Sequence, residues 1–307
     1  MLESVPEGDP QGEAEMLLAE VLNTTKSDIS NKAYQSFKRH QDNDNDLLTI
    51  SNQEWNIYKD MILRRTKQEP IQYIIGKTWF YGRQFSVIDS NYRVLIPRWD
   101  TETLVLTALQ NIGNSKSVLE VGVGSGCLIT TICAEVNRMD VRFIGTDIDA
   151  GAIAIAQKNS YAHNTNVNFI LHDILNQSID QIIKINHCEP FDIVISNPPY
   201  ISTKEVESLE VQVRDFEPKT ALDGGSDGLL FYKKLSMLCK GELLKTGGKI
   251  IVEIGYTQAQ QVTVIFQEEI DGVLLQVDSV EKDMSGNDRI ITATKVVNTK
   301  SVIKQFA

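Results

Sequence analysis

The sequence is poor in the residues that build metal sites and disulfide frameworks. Its 307 residues include only 4 cysteines and 4 histidines. The cysteines, Cys127, Cys133, Cys188 and Cys239, never approach the C-x-x-C spacing typical of zinc sites and redox motifs. We therefore expect no metal and no disulfide, and ordinary apolar thiols in a reducing compartment.

Positive charge and long apolar runs are also scarce. The 30 Lys+Arg against 41 Asp+Glu give a formal net charge of -11, which repels phosphate backbones, so we expect no direct nucleic-acid binding. No apolar run reaches the ~18 residues of a membrane span, so we expect no membrane partner. The N-terminal segment is acidic and has no arginine before Arg39, unlike a transit peptide. This predicts a cytoplasmic protein, or a mitochondrial one if the N-terminus was trimmed.

The pattern of apolar residues predicts two folded parts and a linker. Leu17, Leu18 and Val21, and then Trp55, Tyr58 and Ile62, recur at helical spacing within residues 13 to 75, on either side of a polar turn at 41 to 46. Aromatic and β-branched runs between 79 and 96 predict a β-hairpin. The predicted organisation is a helical N-terminal domain at 1–75, a β-hairpin linker at 76–96 and a larger domain at 97–307.

The larger domain alternates strands with helix-length segments, which predicts an α/β fold with a doubly wound parallel sheet. The strand-like runs are residues 117–121, 141–147, 167–173, 191–197 and 247–255. Two further runs, 273–280 and 288–296, are joined by only about seven residues. That is too short for a parallel crossover, so we expect antiparallel neighbours, one of them inserted at the edge of the sheet.

A glycine-rich turn, Gly122-Val123-Gly124-Ser125-Gly126, follows the first strand and precedes a helical segment. Its spacing differs from the dinucleotide fingerprint, and no Gly-Lys-Ser/Thr follows, so a nucleotide phosphate is disfavoured. Asp147 ends the next strand, where a carboxylate can accept ribose hydroxyl protons. With Glu120 before the glycines, this pattern favours S-adenosylmethionine, with the acids at its ammonium group and ribose.

The most specific motif is Asn197-Pro198-Pro199-Tyr200, at the carboxyl end of the fourth strand. Two prolines remove backbone donors and stiffen the loop. The Asn197 side-chain oxygen and the Pro198 carbonyl can accept both hydrogens of a planar NH2 group, while Tyr200 packs on its flat face. The motif therefore predicts methylation of an amino or amide nitrogen.

In its wider pattern the chain resembles the release-factor glutamine methyltransferase family (PrmC/HemK), from residue 13 onward. Six segments in order carry the resemblance: EPIQYIIG (69–76), VLIPRWDTETLV (94–105), LEVGVGSGC (119–127), ISNPPYI (195–201), FEPKTALDGGSDGLLFY (216–232) and KDMSGNDRIITA (282–293). The resemblance implies a Rossmann-like, seven-stranded class I methyltransferase domain. The reaction it implies is methylation by S-adenosylmethionine of the glutamine in the Gly-Gly-Gln motif of class 1 peptide chain release factors.

The resemblance also implies roles for particular residues. The cofactor contacts map onto Glu120, Gly122 to Gly126, Asp147, Asp173 with Ile174 at the adenine, and Asn197. The substrate glutamine maps onto Asn197 to Tyr200, with Asn197, Pro198 and Tyr200 as the catalytic set, and the N-terminal domain would hold the release factor. The chain departs from the usual family pattern at Trp99, Glu120 and Ile174.

Two other functions fit parts of this pattern. A nucleic-acid adenine or cytosine methyltransferase also needs an amine-orienting motif, but the net charge of -11 argues against it. A non-catalytic S-adenosylmethionine-binding protein would have no need of Asn197, Pro198 and Tyr200. We also expect a monomer, and an acidic loop at 202–226 that serves as a lid or docking segment.

Overall fold

The structure is a computed structural model that describes residues 9–31, 50–90 and 92–298. The polar turn expected at 41 to 46 lies outside the described residues. The chain divides into two compact units. The first contains the described residues up to Lys77 together with 210–216, and the second contains 78–209 and the described residues from 217 onward.

The first unit is helical, with α1 at Pro10–Val21, α2 at Asn52–Arg65 and α3 at Ile71–Ile75, and residues 26 to 31 also helical. The ends of the helices have clear causes. Asp9 caps α1 by accepting from the Gly12 N–H, and Ser51 forms a reciprocal capping box with Glu54 at the start of α2. A small core joins these helices, formed by Leu17, Ile62, Ile71 and Ile74.

One apolar residue of α2 does not follow the expected stripe. Trp55 is 51% exposed, although its spacing to Tyr58 and Ile62 predicts a shared buried face. Its ring lies 5.9 Å from that of Tyr58, which is half-buried and packs against the core, while Ile62 is part of the core. Among the described residues this core has four buried members, which are too few to cover the whole stripe.

The expected β-hairpin is two short two-stranded sheets instead of one. Strands β1 (Lys77–Phe80) and β2 (Arg83–Ser86) form the first, and β3 (Ile88–Asp89) and β4 (Tyr92–Arg93) form the second, which is antiparallel. Positive φ at Tyr81 and Gly82 and again at Ser90 marks the two reversals. Both turn signals in the sequence are therefore used, each by its own strand pair.

The second unit is built on the expected seven-stranded sheet, in the order β10-β11-β9-β8-β5-β6-β7. Strands β5 to β9 are parallel, and β11 is antiparallel to both β9 and β10, between which it is inserted. The strand bounds are β5 Ser117–Val121, β6 Arg142–Asp147, β7 Val167–Leu171, β8 Phe191–Ser196, β9 Leu244–Glu253, β10 Val273–Lys282 and β11 Asp288–Val297.

Helices cover both faces of this sheet, which is why its central strands are largely buried and rich in apolar residues on both sides. Along β8, Val194 belongs to the core on one face, whereas Ile193 and Ile195 belong to the core on the other. The helices of this unit are α4 Thr101–Asn111, α5 Cys127–Val136, α6 Ala150–Ala162, α7 Asp180–Ile185, α8 Thr203–Val206, α10 Leu230–Leu238 and α11 Ala259–Gln267.

The segment expected to be an acidic loop contains short helices. After α8 come α9 (Val211–Arg214), in the stretch grouped with the first unit, and a 3-10 turn at Lys219–Ala221. Ser202 caps α8 through a capping box with Glu205. Across the described ranges, we find no helix with both the length and the apolar character needed to cross a membrane.

Candidate active site

A cavity of about 510 Å³ lies at the carboxyl ends of the parallel strands β5, β6, β7 and β8. Open α/β sheets bind their ligands at this edge, beside the strand where the order of the sheet reverses, which here is β5. Eleven of the residues expected at the site line the cavity: Glu120, Gly122, Val123, Gly124, Ser125, Asp147, Asp173, Ile174, Asn197, Pro198 and Pro199. Gly126 and Tyr200 lie outside its lining.

The glycine loop exposes its backbone to the cavity. Gly122 and Gly124 have φ of +79° and +51°, and a Cβ built on either would meet no atom within 4 Å. Gly126 serves packing, because a Cβ there would lie 2.8 Å from the Cβ of Ala156 on α6. The glycines therefore permit positive φ, close approach of a ligand and close packing of two helices.

Two carboxylates flank this loop. Glu120 is 2% exposed and accepts from the Ile129 N–H in the first turn of α5 at 3.0 Å. Burial raises the pKa of Glu120 well above its usual range, and the neighbouring Asp147 raises it further. Asp147 accepts from the Gly124 N–H at 2.9 Å and the Asp149 N–H at 3.0 Å, and burial raises its pKa too. A cationic or hydroxylated ligand would stabilise the ionised form of both groups.

The wall after β7 contains a histidine that sequence reasoning missed. His172 lines the cavity and is buried, yet neither ring nitrogen finds a hydrogen-bond partner among the described residues. Burial lowers the pKa of His172, so the ring is neutral near pH 7. Buried polar atoms are nearly always paired, which indicates that this wall meets a polar ligand. Ile174 adds an apolar surface, and Asp173 caps the next turn by accepting from the Leu175 N–H.

The Asn197-Pro198-Pro199-Tyr200 motif forms the opposite wall. Asn197 Nδ2 donates to Thr101 Oγ1 at 3.2 Å, and the Thr101 hydroxyl donates to Glu253 at 2.7 Å. Tyr200 packs against the core below the motif, and burial raises the pKa of its phenol to about 12. Asn197 and both prolines of the motif thus face the cavity, whereas Tyr200 packs beneath them against the core.

Two glycines and a glutamine support this wall from behind. Gln258 Nε2 donates to the Tyr200 carbonyl at 3.0 Å. A Cβ on Gly224 would lie 2.7 Å from the Pro199 carbonyl oxygen, and one on Gly228 would lie 2.4 Å from that of Tyr200. Both distances are shorter than van der Waals contact, so neither glycine position has room for a side chain. The glycine backbones therefore pack directly against the backbone of the motif.

This packing predicts a large difference between two similar glycines. Gly228 and Gly286 are both in turns with positive φ, +70° and +84°, but only Gly228 has neighbours within 4 Å of its Cβ. Gly286→Ala should cost ~1–2 kcal/mol from backbone strain alone. Gly228→Ala should cost about 1–3 kcal/mol more, because the Tyr200 backbone must move. Urea denaturation of both variants measures the difference, and equal losses would contradict the packing argument.

Sequence reasoning missed several side chains of the site. Thr101 bonds Asn197 and is itself bonded to Glu253, while His172 lines the cavity. Arg98 also lines the cavity and donates to the buried Glu217 at 2.5 Å. Burial raises the pKa of Glu217. Thr101, Arg98 and Glu217 lie within the quoted motif segments, but without homologues nothing in one sequence singles them out.

Comparison with known proteins agrees with this geometry. Two family profiles match, "PrmC N-terminal domain" at residues 1–76 and "Methyltransferase small domain" at 98–216. A release factor glutamine methyltransferase from Geobacter sulfurreducens is 40% identical over 208 residues, covering 68% of each chain. One from Fusobacterium nucleatum is 34% identical over 296 residues, covering 95% of this chain and 75% of the relative. One from Caulobacter vibrioides is 32% identical, covering 93% and 90%.

The cavity fits the methyl donor that this fold uses. It has an open glycine backbone, two carboxylates and an apolar wall at Ile174. It also contains His172, whose ring nitrogens have no hydrogen-bond partner in the part of the chain that the structure describes, and its volume lies in the range of cofactor sites. The protein is a methyltransferase and its cofactor is S-adenosylmethionine. The match to the Fusobacterium nucleatum relative, 34% identical, extends over 95% of this chain. The chain therefore belongs to the release factor glutamine methyltransferase family.

Proposed function

We propose that this protein methylates the side-chain amide nitrogen of the glutamine in the Gly-Gly-Gln loop of class 1 peptide chain release factors. The observation that carries the proposal is that Asn197 and Pro198 line the same cavity as the glycine loop and Asp147. An amide clamp and a cofactor site therefore share one space. Three relatives that are 32–40% identical carry the name release factor glutamine methyltransferase.

The residues of the cofactor side have separate tasks in this proposal. The Gly122–Gly126 backbone would hold the methionine part of S-adenosylmethionine, Glu120 its ammonium group and Asp147 its ribose hydroxyls. Asp173 and Ile174 would hold the adenine. When bound, S-adenosylmethionine supplies an already activated methyl group. The protein therefore needs to supply position more than acid or base strength.

The residues of the substrate side orient the glutamine amide. Asn197 Oδ1 and the Pro198 carbonyl accept its two hydrogens, and Pro199 and Tyr200 complete the frame. An amide lone pair is delocalised into its carbonyl, so hydrogen bonds that localise it on nitrogen lower the barrier. Alignment of the reacting atoms can contribute ~7 kcal/mol or more. The nitrogen would gain the methyl group as the carbon–sulfur bond of the donor breaks, with that electron pair left on sulfur, and would release one proton to water.

The three parts of the chain that the sequence predicts have complementary tasks in this proposal. Residues 1–75 hold the release factor, 76–96 form the linker and 97–307 carry out the transfer. Because the net charge is -11, the protein substrate is recognised without direct nucleic-acid contact. We further propose that the protein is a cytoplasmic monomer with no membrane partner.

Mass spectrometry tests the proposed function. Purified protein is incubated with S-adenosylmethionine and a bacterial class 1 release factor, and the Gly-Gly-Gln peptide is then isolated. We expect a mass gain of one methyl group on the glutamine. A release factor with Gln→Glu in that motif is the matched control and should gain nothing. Methylation of DNA or RNA oligonucleotides, with none of the release factor, would overturn the proposal in favour of a nucleic-acid substrate.

A further inference from the structure

A chain of two hydrogen bonds runs from the amide clamp into the protein core. Asn197 Nδ2 lies 3.2 Å from Thr101 Oγ1, and Thr101 Oγ1 lies 2.7 Å from Glu253 Oε2. Thr101 is 4% exposed and Glu253 is 1% exposed, so water does not compete for these bonds. The three residues come from the end of β8, the start of α4 and the end of β9.

We infer that Thr101 and Glu253 are positioning residues that fix which end of the Asn197 amide faces the cavity. An ionised carboxylate only accepts hydrogen bonds, so the single hydroxyl hydrogen of Thr101 is directed to Glu253. The Thr101 oxygen is then left with lone pairs, which pair with the NH2 end of Asn197. The carbonyl end, Oδ1, lies at the opposite corner of the planar amide and is left for the cavity.

The alternative orientation shows why this matters for the reaction. An asparagine amide can turn over with little change in shape, which exchanges its oxygen and its NH2 group. An Asn197 turned in that way would present donors to the donors of a glutamine amide. This inference rests on the proposed function, because it assigns Asn197 Oδ1 to the substrate amide.

The protonation state of Glu253 gives the inference a pH dependence. Burial raises the pKa of Glu253 to about 7, although the bond from Thr101 and the charge of Arg289 lower it. Asp100 raises that pKa and Arg98 lowers it. Two phenols complete the surroundings: Tyr200 interacts with the carboxylate, and Tyr232 donates to the Glu253 carbonyl.

The sign of the pH effect follows from the hydrogen count. Below pH ~7 a protonated Glu253 can donate to Thr101, which frees the Thr101 hydrogen to bond Asn197 Oδ1 in the reversed orientation. The maximum turnover, kcat, should therefore rise with pH through about 7. Glu253→Gln cannot ionise, so it should have lower kcat and lack this inflection. An inflection that persists in Glu253→Gln would come from another group, and the assignment of Glu253 would be wrong.

The chain offers a matched control for Thr101. Thr107 is on the same helix, is fully buried and also donates to a carboxylate, that of Glu281, at 2.5 Å, but it does not line the cavity. Thr101→Val should lower kcat about 10-fold, with KM for the release factor changed far less, because an interaction of the reacting state is lost. Thr101→Ser should restore most of kcat, and Thr107→Val should leave it unchanged. Equal kcat in the two valine variants would overturn the inference.

A second measurement does not depend on the reaction. In NMR spectra of the protein without substrate, Asn197 side-chain NH2 signals are assigned by their loss in Asn197→Asp. We expect one of the two protons to exchange slowly with solvent in the parent and in Thr107→Val, and fast in Thr101→Val. If the parent fails to methylate release factor, the proposed function fails, and this exchange still decides the orientation. Fast exchange of both Asn197 side-chain NH2 protons in the parent, or slow exchange of one of them in Thr101→Val, would overturn the inference about Thr101.

Discussion

Replacing Asn197 with alanine should lower kcat for glutamine methylation by ~100-fold or more, the typical loss for one positioned polar group in an active site. Asn197 lines the cavity and its amide is held by Thr101. Alanine removes the proposed acceptor for the substrate amide, so the nitrogen lone pair is no longer directed. The fold should survive, because the side chain is only half-buried.

Single-turnover methylation measures this effect, with cofactor affinity determined separately by calorimetry. Asn111→Ala is the matched control, since Asn111 is also half-buried but its side chain donates to the Thr107 carbonyl within its own helix. We expect normal turnover in that variant. Turnover of Asn197→Ala close to that of Asn111→Ala would remove Asn197 from the mechanism. A parallel loss of cofactor affinity would place Asn197 on the cofactor side instead.

The sheet could be predicted from the sequence because its central strands are buried on both faces. Such strands are rich in apolar residues that face both sides of the sheet, and β5, β6 and β8 begin and end within one residue of the expected bounds. The short connection between the last two runs correctly predicted their antiparallel pairing, since geometry forbids a parallel crossover of that length.

Shorter elements were predicted less well, because the few residues that form each of them carry only a weak preference for one secondary structure. The segment 76–96 has two turn signals, and nothing local shows whether one hairpin or two two-stranded sheets result. The acidic stretch 202–226 resembles a loop in composition, yet a capping box at Ser202 and Glu205 starts a short helix there. That box is a local signal that the sequence does contain.

The candidate site divides in the same way. The glycine loop and the proline motif are each a continuous stretch of sequence, so the residue types within each stretch indicate its function. Thr101 and Glu253, in contrast, are 152 positions apart and meet only because α4 and β9 meet in the fold. His172 is one of 4 histidines in the sequence, and only the three-dimensional structure shows that its buried ring nitrogens have no hydrogen-bond partner within the described ranges.

Asp147→Asn should weaken binding of S-adenosylmethionine about 30-fold or more. The carboxylate already accepts from the Gly124 and Asp149 N–H groups and is proposed to accept two ribose hydroxyls as well. Asparagine keeps the shape but has one acceptor oxygen, and its NH2 group opposes a donor. Each hydrogen bond to a charged group contributes ~1.5–3 kcal/mol. The loss of one such bond, at about 2 kcal/mol, weakens binding about 30-fold, and the loss of two weakens it further.

Asp149→Asn is the matched control for charge. Asp149 lies two residues away, is not part of the cavity lining and caps α6 by accepting from the Gly151 N–H at 2.6 Å. Asparagine is an equally good helix cap, so this variant removes one negative charge near the site with the fold intact. Calorimetric titration should show normal affinity for Asp149→Asn and weak affinity for Asp147→Asn. Equal weakening in both would mean that general charge attracts the cofactor and that Asp147 makes no specific bond to its ribose.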